Sequence, residues 1–298
     1  MIGLGRMGGN MATRLRERGH DVIGYSRSRP SDVDTLEALV AALEPPRVVW
    51  LMVPAGDATE TTISTLVELL SSGDLVVDGG NSNYRDSIRR AEFLARHGIA
   101  FIDAGVSGGI WGRELGYCLM VGGADRDVAR VQPAFDDLAP PDGFAHCGPS
   151  GAGHFTKMVH NGIEYGLMQS YAEGYELLRA SELGIDVPAA LSAWRQGSVV
   201  RSWLLELLVS ALEKDPELDA LRGYAEDSGE GRWTVEEAVR LGVPAPAISA
   251  ALFARFASRQ DESLAMKVIA ALRQAFGGHA VHTVADSADA KAADEPPG

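Results

Sequence analysis

Two kinds of apolar pattern divide the chain. In its first half, short apolar runs end on glycine or proline: VVWLMV at 48–53, LVVDGG at 75–80, AFIDAG at 100–105 and CLMVGG at 118–123. Each is too short for a buried helix and reads as a strand covered on both faces. DVIGY at 21–25 reads as a further strand, while 9–18 and 58–70 carry apolar residues at helical spacing, the first stopping at Gly19. Strands alternating with helices predict a doubly wound α/β domain. Beyond CGPSGAG at 147–153, where a proline and three glycines interrupt the pattern, the spacing is helical over 154–182, 188–212, 234–241 and 246–276, with no further strand run. The expected organisation is an α/β domain over 1–149 followed by an all-α domain over 150–284. The polar, alanine-rich stretch 285–298 is expected to be disordered.

With 298 residues, 46% of them hydrophobic, the chain has material for two cores. A formal net charge of −14 leaves no long-range positive field to draw in nucleic acid or an anionic membrane. An anionic ligand must therefore be captured locally. Cys118 and Cys147 have neither metal-ligand spacing nor the density of a disulfide framework, so both read as packing residues in a reducing compartment. No apolar run reaches the roughly 20 residues of a membrane span, and no signal-peptide pattern opens the chain. A cytoplasmic protein without a metal is the expectation.

The opening MIGLGRMGGN places Gly3, Gly5 and Gly8 at G-x-G-x-x-G spacing. In a dinucleotide fold the first glycine turns the chain, the second lets backbone approach a pyrophosphate, and the third lets helix pack on sheet. Leu4, Arg6 and Met7 complete the candidate turn of a Rossmann-type domain. Only Met1 and Ile2 precede it, so the first strand reads as truncated, with the true start expected a few codons upstream or the chain a fragment. About 20 residues on, where an NAD site carries a carboxylate for the ribose hydroxyls, stand Ser26, Arg27 and Ser28. Two hydroxyls and a guanidinium suit a 2′-phosphate, which favours NADP while leaving NAD possible.

On a helix, Lys157, His160, Asn161 and Glu164 of GAGHFTKMVHNGIEYGLMQ fall at i, i+3, i+4 and i+7 and share one face. Phe155, Met158, Val159, Ile163 and Leu167 supply apolar contacts beside them, as expected for a largely buried helix. By spacing alone the stripe reads rather as a solvated face with a Lys to Glu pair. Asn81, after one strand, and Ser107, Gly108 and Gly109, after another, lie where open α/β sheets bind ligands. Facing the stripe, they would frame a small anionic substrate between a candidate base, Lys157, and a candidate acid, Glu164.

These residues together resemble 6-phosphogluconate dehydrogenase, of the β-hydroxyacid dehydrogenase superfamily. The resemblance runs through GLGRMGGN, DGGNSNYRD, GVSGG, GHFTKMVHNGIEYGLMQ and GEGRWT to FARF at 253–256. It implies oxidative decarboxylation of 6-phosphogluconate to ribulose 5-phosphate and CO2, a step of the pentose phosphate pathway. Lys157 would take the C3 hydroxyl proton and Glu164 would protonate C1 of the enediol. By the same resemblance Asn81, Ser107, Gly108, Gly109, His160 and Asn161 would hold the sugar acid, with Tyr165 and Arg255 at its phosphate. Val53, Pro54, Ala55 and Asn81 match a cofactor-contacting segment.

Three departures stand out. The loop that carries a lysine in the long forms is shorter here, leaving Glu230 and Arg232 without a direct counterpart of that lysine. The large C-terminal extension is also lacking, which resembles the short bacterial form. FGGHAVH at 276–282 would then bring His279 across a homodimer interface into the neighbouring site. Tyr25-Ser26-Arg27 is the third, closer to the NADP pattern. Alternatives are another β-hydroxyacid dehydrogenase, such as one acting on 3-hydroxyisobutyrate, or a cofactor-binding regulator without turnover.

Overall fold

The computed structural model describes residues 1–278 and 280–282. His279 and the stretch 285–298 lie outside the described residues. Five strands, β1 (Val48–Leu51), β2 (Leu75–Asp78), β3 (Ala100–Ser107), β4 (Cys118–Gly122) and β5 (Phe144–Gly148), form one sheet in the order β1-β2-β3-β4-β5. All neighbours are parallel except β3 and β4, which pair antiparallel from Asp103–Gly122 to Ser107–Cys118. The α/β class is as expected from the alternation of runs.

Helices α1 (Arg6–Glu17), α2 (Leu36–Ala41), α3 (Asp57–Leu69), α4 (Tyr84–Ala95), α5 (Gly112–Leu115) and α6 (Asp125–Leu138) fill the connections. Alternate strand residues feed two cores. Trp50, Leu75, Val77 and Ile102 join Met11, Leu15 and Phe135 on one face, while Val49, Leu51, Val76 and Phe101 join Leu39, Ile63, Leu66 and Leu94 on the other. Burial on both faces explains why the strands read as continuous apolar runs.

The segment 21–25 does not form a strand. Ile2 makes isolated parallel bridges to Tyr25 on one side and Leu51 on the other. Tyr25 N–H donates to the Met1 carbonyl, and Gly3 N–H to that of Tyr25, each at 2.9 Å. A ladder is only as long as its shorter member, and the Met1–Gly3 segment offers few partners. The sheet also gains β5, which has no apolar run because its residues are half-buried or exposed at an edge.

Helices α7 (Ala152–Arg179), α8 (Val187–Trp194), α9 (Trp203–Lys214), α10 (Glu230–Leu241), α11 (Pro246–Ala257) and α12 (Leu264–Gly277) follow. The expected single helices over 188–212 and 246–276 are each two. Ser202 caps α9 through Leu205 N–H, and Ser263 caps α12 through Met266 N–H, so each serine restarts a helix after a polar break. One compact unit comprises Met1–Leu177 with Ser228–Ser249; the other comprises Leu178–Asp227 with the chain from Ala250. All but the last two residues of α7 thus belong with the sheet, on which Gly153 rests directly at β3 and β4. A Cβ at Gly153 would come within 2.5 Å of the Asp103 and Met120 carbonyl oxygens.

Two packing expectations fail. Cys118 is exposed and Cys147 half-buried, both as free thiols, so neither is a core residue. On α7, Ile163 is 53% and Leu167 42% exposed, so that flank of the helix is not covered within the chain. Among the described residues no helix is long and apolar enough to cross a membrane.

Candidate active site

The glycine turn is built by close backbone approach. Gly3 takes φ +94°, and a Cβ there would meet the Met52 carbonyl oxygen at 2.4 Å. Gly8 lies against the Gly3 carbonyl, with a virtual Cβ at 2.0 Å, whereas Gly5 faces open space within 4 Å. Gly5 is also the N-cap of α1 and supplies no side-chain cap. The first turn of α1 therefore presents unsatisfied N–H groups and the positive end of its dipole to that space. This cradle fits a dinucleotide pyrophosphate.

In front of it opens a cleft of about 920 Å³. Its walls come from the carboxyl ends of the strands: Met52 to Ala55 after β1, Gly79 to Asn81 after β2, and Val106 in β3. Lys157 of α7 and Glu230 of α10 close one end, while Ser26, Arg27, Ser28 and Arg29 line the other. No carboxylate occupies 26–29. The nearby Asp32 is engaged instead with the Gly24 N–H, at 2.6 Å, and with Arg16.

The Asn81 turn is held from below by buried charge. Asp78 ends β2 with no exposed surface, accepting from Gly80 N–H at 3.0 Å, from Ser82 Oγ at 2.8 Å and from Arg90 Nη1 at 2.9 Å. Arg90, also buried, donates to Glu60 of α3 as well. One guanidinium thus ties the turn after β2 to two helices. A planar donor fork with a permanent charge suits this task.

A second buried carboxylate seats α7. Asp103 of β3 accepts from Gly151 N–H at 2.6 Å and His154 N–H at 2.8 Å, capping the helix start across the fold. Burial pushes its carboxyl above the usual range, against the opposing pull of His154 and these N–H donors. Further on, Gly105 lies under Lys157, where a Cβ would meet Lys157 Cβ at 2.4 Å. The helix and the sheet are in backbone-scale contact beneath the lysine.

Lys157 Nζ donates to Asn161 Oδ1 at 2.7 Å, and His160 Nδ1 stands 3.0 Å from the same oxygen. Asn161 is buried, and its Nδ2 donates to Glu230 Oε1 at 2.8 Å. Glu230 Oε2 accepts from Ser228 Oγ, and Ser228 N–H donates to Tyr165 Oη at 3.1 Å. Glu164 Oε2 lies 3.9 Å from His160 Nδ1. Burial pushes the Lys157 ammonium below its ordinary pKa, while Glu230, Glu164 and Cys118 act in the opposite sense. Of the stripe, Lys157 thus lines the cleft and Asn161 is buried, while the side chains of His160 and Glu164 are 40% and 36% exposed beside them.

Residues 1–148 match the NAD binding domain of 6-phosphogluconate dehydrogenase, and residues 153–293 match the C-terminal domain of 6-phosphogluconate dehydrogenase. A Haloferax volcanii protein named 6-phosphogluconate dehydrogenase, NAD(+)-dependent, decarboxylating, is 42% identical, the alignment covering 94% of this chain and 97% of that protein. The chain belongs to the 6-phosphogluconate dehydrogenase family. A Bacillus subtilis member with the same description is 38% identical over 91% of this chain and 64% of its own length. The Plasmodium falciparum 6-phosphogluconate dehydrogenase structure has a TM-score of 0.80 at 28% identity, covering 95% of this chain and 65% of that one. A Mycobacterium tuberculosis 3-hydroxyisobutyrate dehydrogenase shares the fold, with a TM-score of 0.69 at 23% identity over 91% of this chain and 97% of that one.

Within this family member, the cleft brings together Gly3, Leu4, Gly5, Met7, Ser26, Arg27, Ser28, Val53, Pro54, Ala55, Asn81 and Lys157. Arg6 and Gly8 do not line it: Arg6 is exposed at the start of α1, and Gly8 is buried behind Gly3. Ser107 ends β3, with Gly108 and Gly109 in the turn that follows, outside the cleft lining. His160, Asn161 and Glu164 cluster with Lys157, and Tyr165 is buried behind Ser228. Arg255 belongs to the second compact unit, where its Nη1 donates to the Glu226 carbonyl at 2.9 Å. His279 lies outside the described residues.

Sequence reasoning missed Glu230 as a site residue. The resemblance directed attention to a lysine lacking from this loop. A carboxylate in the first turn of a helix also reads as an ordinary dipole-compensating residue. The available signal was its place in GEGRWT, between two glycines that allow close packing. A Cβ at Gly231 would meet the Tyr165 ring at 2.5 Å.

Proposed function

We propose that the chain catalyses oxidative decarboxylation of 6-phosphogluconate to ribulose 5-phosphate and CO2, with Lys157 as general base and Glu164 as general acid. One observation carries this reading: a single cleft joins the α1 phosphate cradle to the half-buried Lys157. A base held near the strand ends, with its pKa lowered by burial, is suited to remove a hydroxyl proton. Gly3, Gly5 and the start of α1 would hold the oxidised nicotinamide dinucleotide, which would supply an acceptor for the hydride lost from C3.

As hydride leaves C3, Lys157 takes the C3 hydroxyl proton, and the two losses together give a 3-keto acid. The protonated lysine then polarises that ketone, which accepts the electron pair freed as the C1 carboxylate departs as CO2. Glu164, one helical turn from His160 and two from Lys157, delivers a proton to C1 of the enediol. Asn81, Ser107, Gly108, Gly109, His160 and Asn161 hold the sugar acid, Tyr165 and Arg255 serve its phosphate end, and His279 serves the site of the second copy. NADP is the preferred cofactor, since Arg27 and the hydroxyls of Ser26 and Ser28 face the cleft without a competing carboxylate.

The enzyme acts in the cytoplasm as a homodimer. Support for the second copy comes from α12, none of whose residues is buried and whose Leu264, Met266, Ile269, Leu272 and Phe276 are exposed. The reading is tested by reduction at 340 nm and CO2 release from 6-phosphogluconate with NADP and with NAD, in wild type and Lys157→Met. Turnover abolished by Lys157→Met, with NADP favoured more than tenfold, about 1.4 kcal/mol, is expected. Equal turnover on 3-hydroxyisobutyrate, or full activity without Lys157, would overturn it.

A further inference from the structure

We infer that Glu230 is a positioning residue that acts on Lys157 through the side-chain amide of Asn161. This rests on the reading of Lys157 as general base. A side-chain amide has a donor end and an acceptor end that a half-turn exchanges. What fixes the choice at Asn161 is the group opposite. Glu230 Oε1 accepts, so it holds the amide NH2 at 2.8 Å. The amide oxygen must then face the other way, toward Lys157 Nζ at 2.7 Å and His160 Nδ1 at 3.0 Å. A reversed amide would set two donors, NH2 and ammonium, against each other.

Glu230 is itself held in place. It is the first residue of α10 and buried, with its second oxygen bonded by Ser228 Oγ. The helix that carries it is locked on α7 at two points. Thr234 Oγ1 donates to the Met158 carbonyl at 2.9 Å, over Gly162, where a Cβ would meet Thr234 at 2.7 Å. At the other point, Gly231 packs against the Tyr165 ring, where a Cβ would come within 2.5 Å. The carboxylate therefore reaches Asn161 on a rigid support, as a positioning group requires.

Among the described residues, the titratable groups acting on Lys157 are Glu230 from α10, Glu164 from α7 and Cys118 from β4, with His160 sharing the Asn161 oxygen. Among those that raise its pKa against burial, Glu230 is foremost. A base works when deprotonated, so the acidic limb of the rate profile follows Lys157. Removing the negative charge at 230 lowers that pKa further and moves the limb to lower pH. A merely structural role would change stability without moving the limb.

The experiment compares wild type, Glu230→Gln, Glu230→Asp and Lys157→Met by steady-state kinetics with 6-phosphogluconate across pH, alongside urea unfolding. Glu230→Gln is expected to lose at least tenfold in kcat and to move the acidic limb down by about half a pH unit or more. Glu230→Asp keeps the charge but withdraws it from Asn161, so kcat falls while the limb stays. If Lys157→Met is inactive but both Glu230 variants keep wild-type kcat and limb, the inference about Glu230 fails while the base assignment stands. If Lys157→Met still turns over, the base assignment fails first and takes the inference with it.

Discussion

Replacing Gly105 by alanine tests whether the sheet really sets the height of Lys157, the proposed general base. The added methyl would stand 2.4 Å from Lys157 Cβ and 3.1 Å from the Gly153 carbonyl oxygen. Carbon atoms need about 3.5 Å, so α7 must lift by about 1 Å at this point. It has little freedom to do so, because Gly153 is pressed on the carbonyls of Asp103 and Met120, and Asp103 caps the helix. Overpacking of this kind costs about 1–3 kcal/mol. A displacement near 1 Å at a reacting group costs roughly 100-fold in rate.

Gly105→Ala is therefore expected to lose 1–3 kcal/mol in urea unfolding, as an order of magnitude, and about 100-fold in kcat at 340 nm. Cofactor affinity should stay within about threefold, since the Gly3 to Gly5 cradle is built against Met52, not against Gly105. Gly174→Ala serves as the control. It lies within α7 with nothing within 4 Å of a virtual Cβ, and should gain up to about 1 kcal/mol from helix propensity. A folded Gly105→Ala enzyme with near wild-type kcat would refute the claim that backbone contact at β3 positions Lys157.

Arg90→Met should cost about 3–5 kcal/mol in urea unfolding, because it strands the fully buried Asp78, and adding Asp78→Leu should recover part of the loss. Equal stability of wild type and Arg90→Met would contradict this. Glu237 gives a pH test. Although burial pushes its carboxyl up, Arg85, Arg240 and Tyr84 hold it down from 4.5 to about 2. A pKa depressed by folding adds stability above about pH 4.5 that is lost as pH falls toward 2. With both guanidinium partners half-exposed, the contribution is about 1–2 kcal/mol, and Glu237→Gln should flatten the acid dependence of the unfolding free energy by that amount.

How much was legible depends on whether the information was local. The apolar runs at 48–53, 75–80, 100–105 and 118–123 betrayed their strands because both faces of the sheet are covered. The edge strand β5 carries no such run, and 21–25 has a strand's composition but too short a partner. Ser202 and Ser263 are ordinary caps, yet each was absorbed into a longer helical period, since periodicity continues across a break that only backbone direction reveals. On α7 the i, i+3, i+4, i+7 spacing established that Lys157, His160, Asn161 and Glu164 share a face. It did not say whether that face met water or a cleft.

By itself, then, the sequence determined the α/β character, the glycine turn, the polar stripe and the family resemblance, all properties of residues near one another in the chain or of recognisable motifs. Tertiary structure alone decided that Gly105 and Gly153 let α7 touch the sheet, that Arg90 braces the Asn81 turn, and that Glu230 meets Asn161. Asn161 and Glu230 are 69 positions apart. No local period or propensity couples residues at that separation, and only the docking of α10 on α7 makes them neighbours.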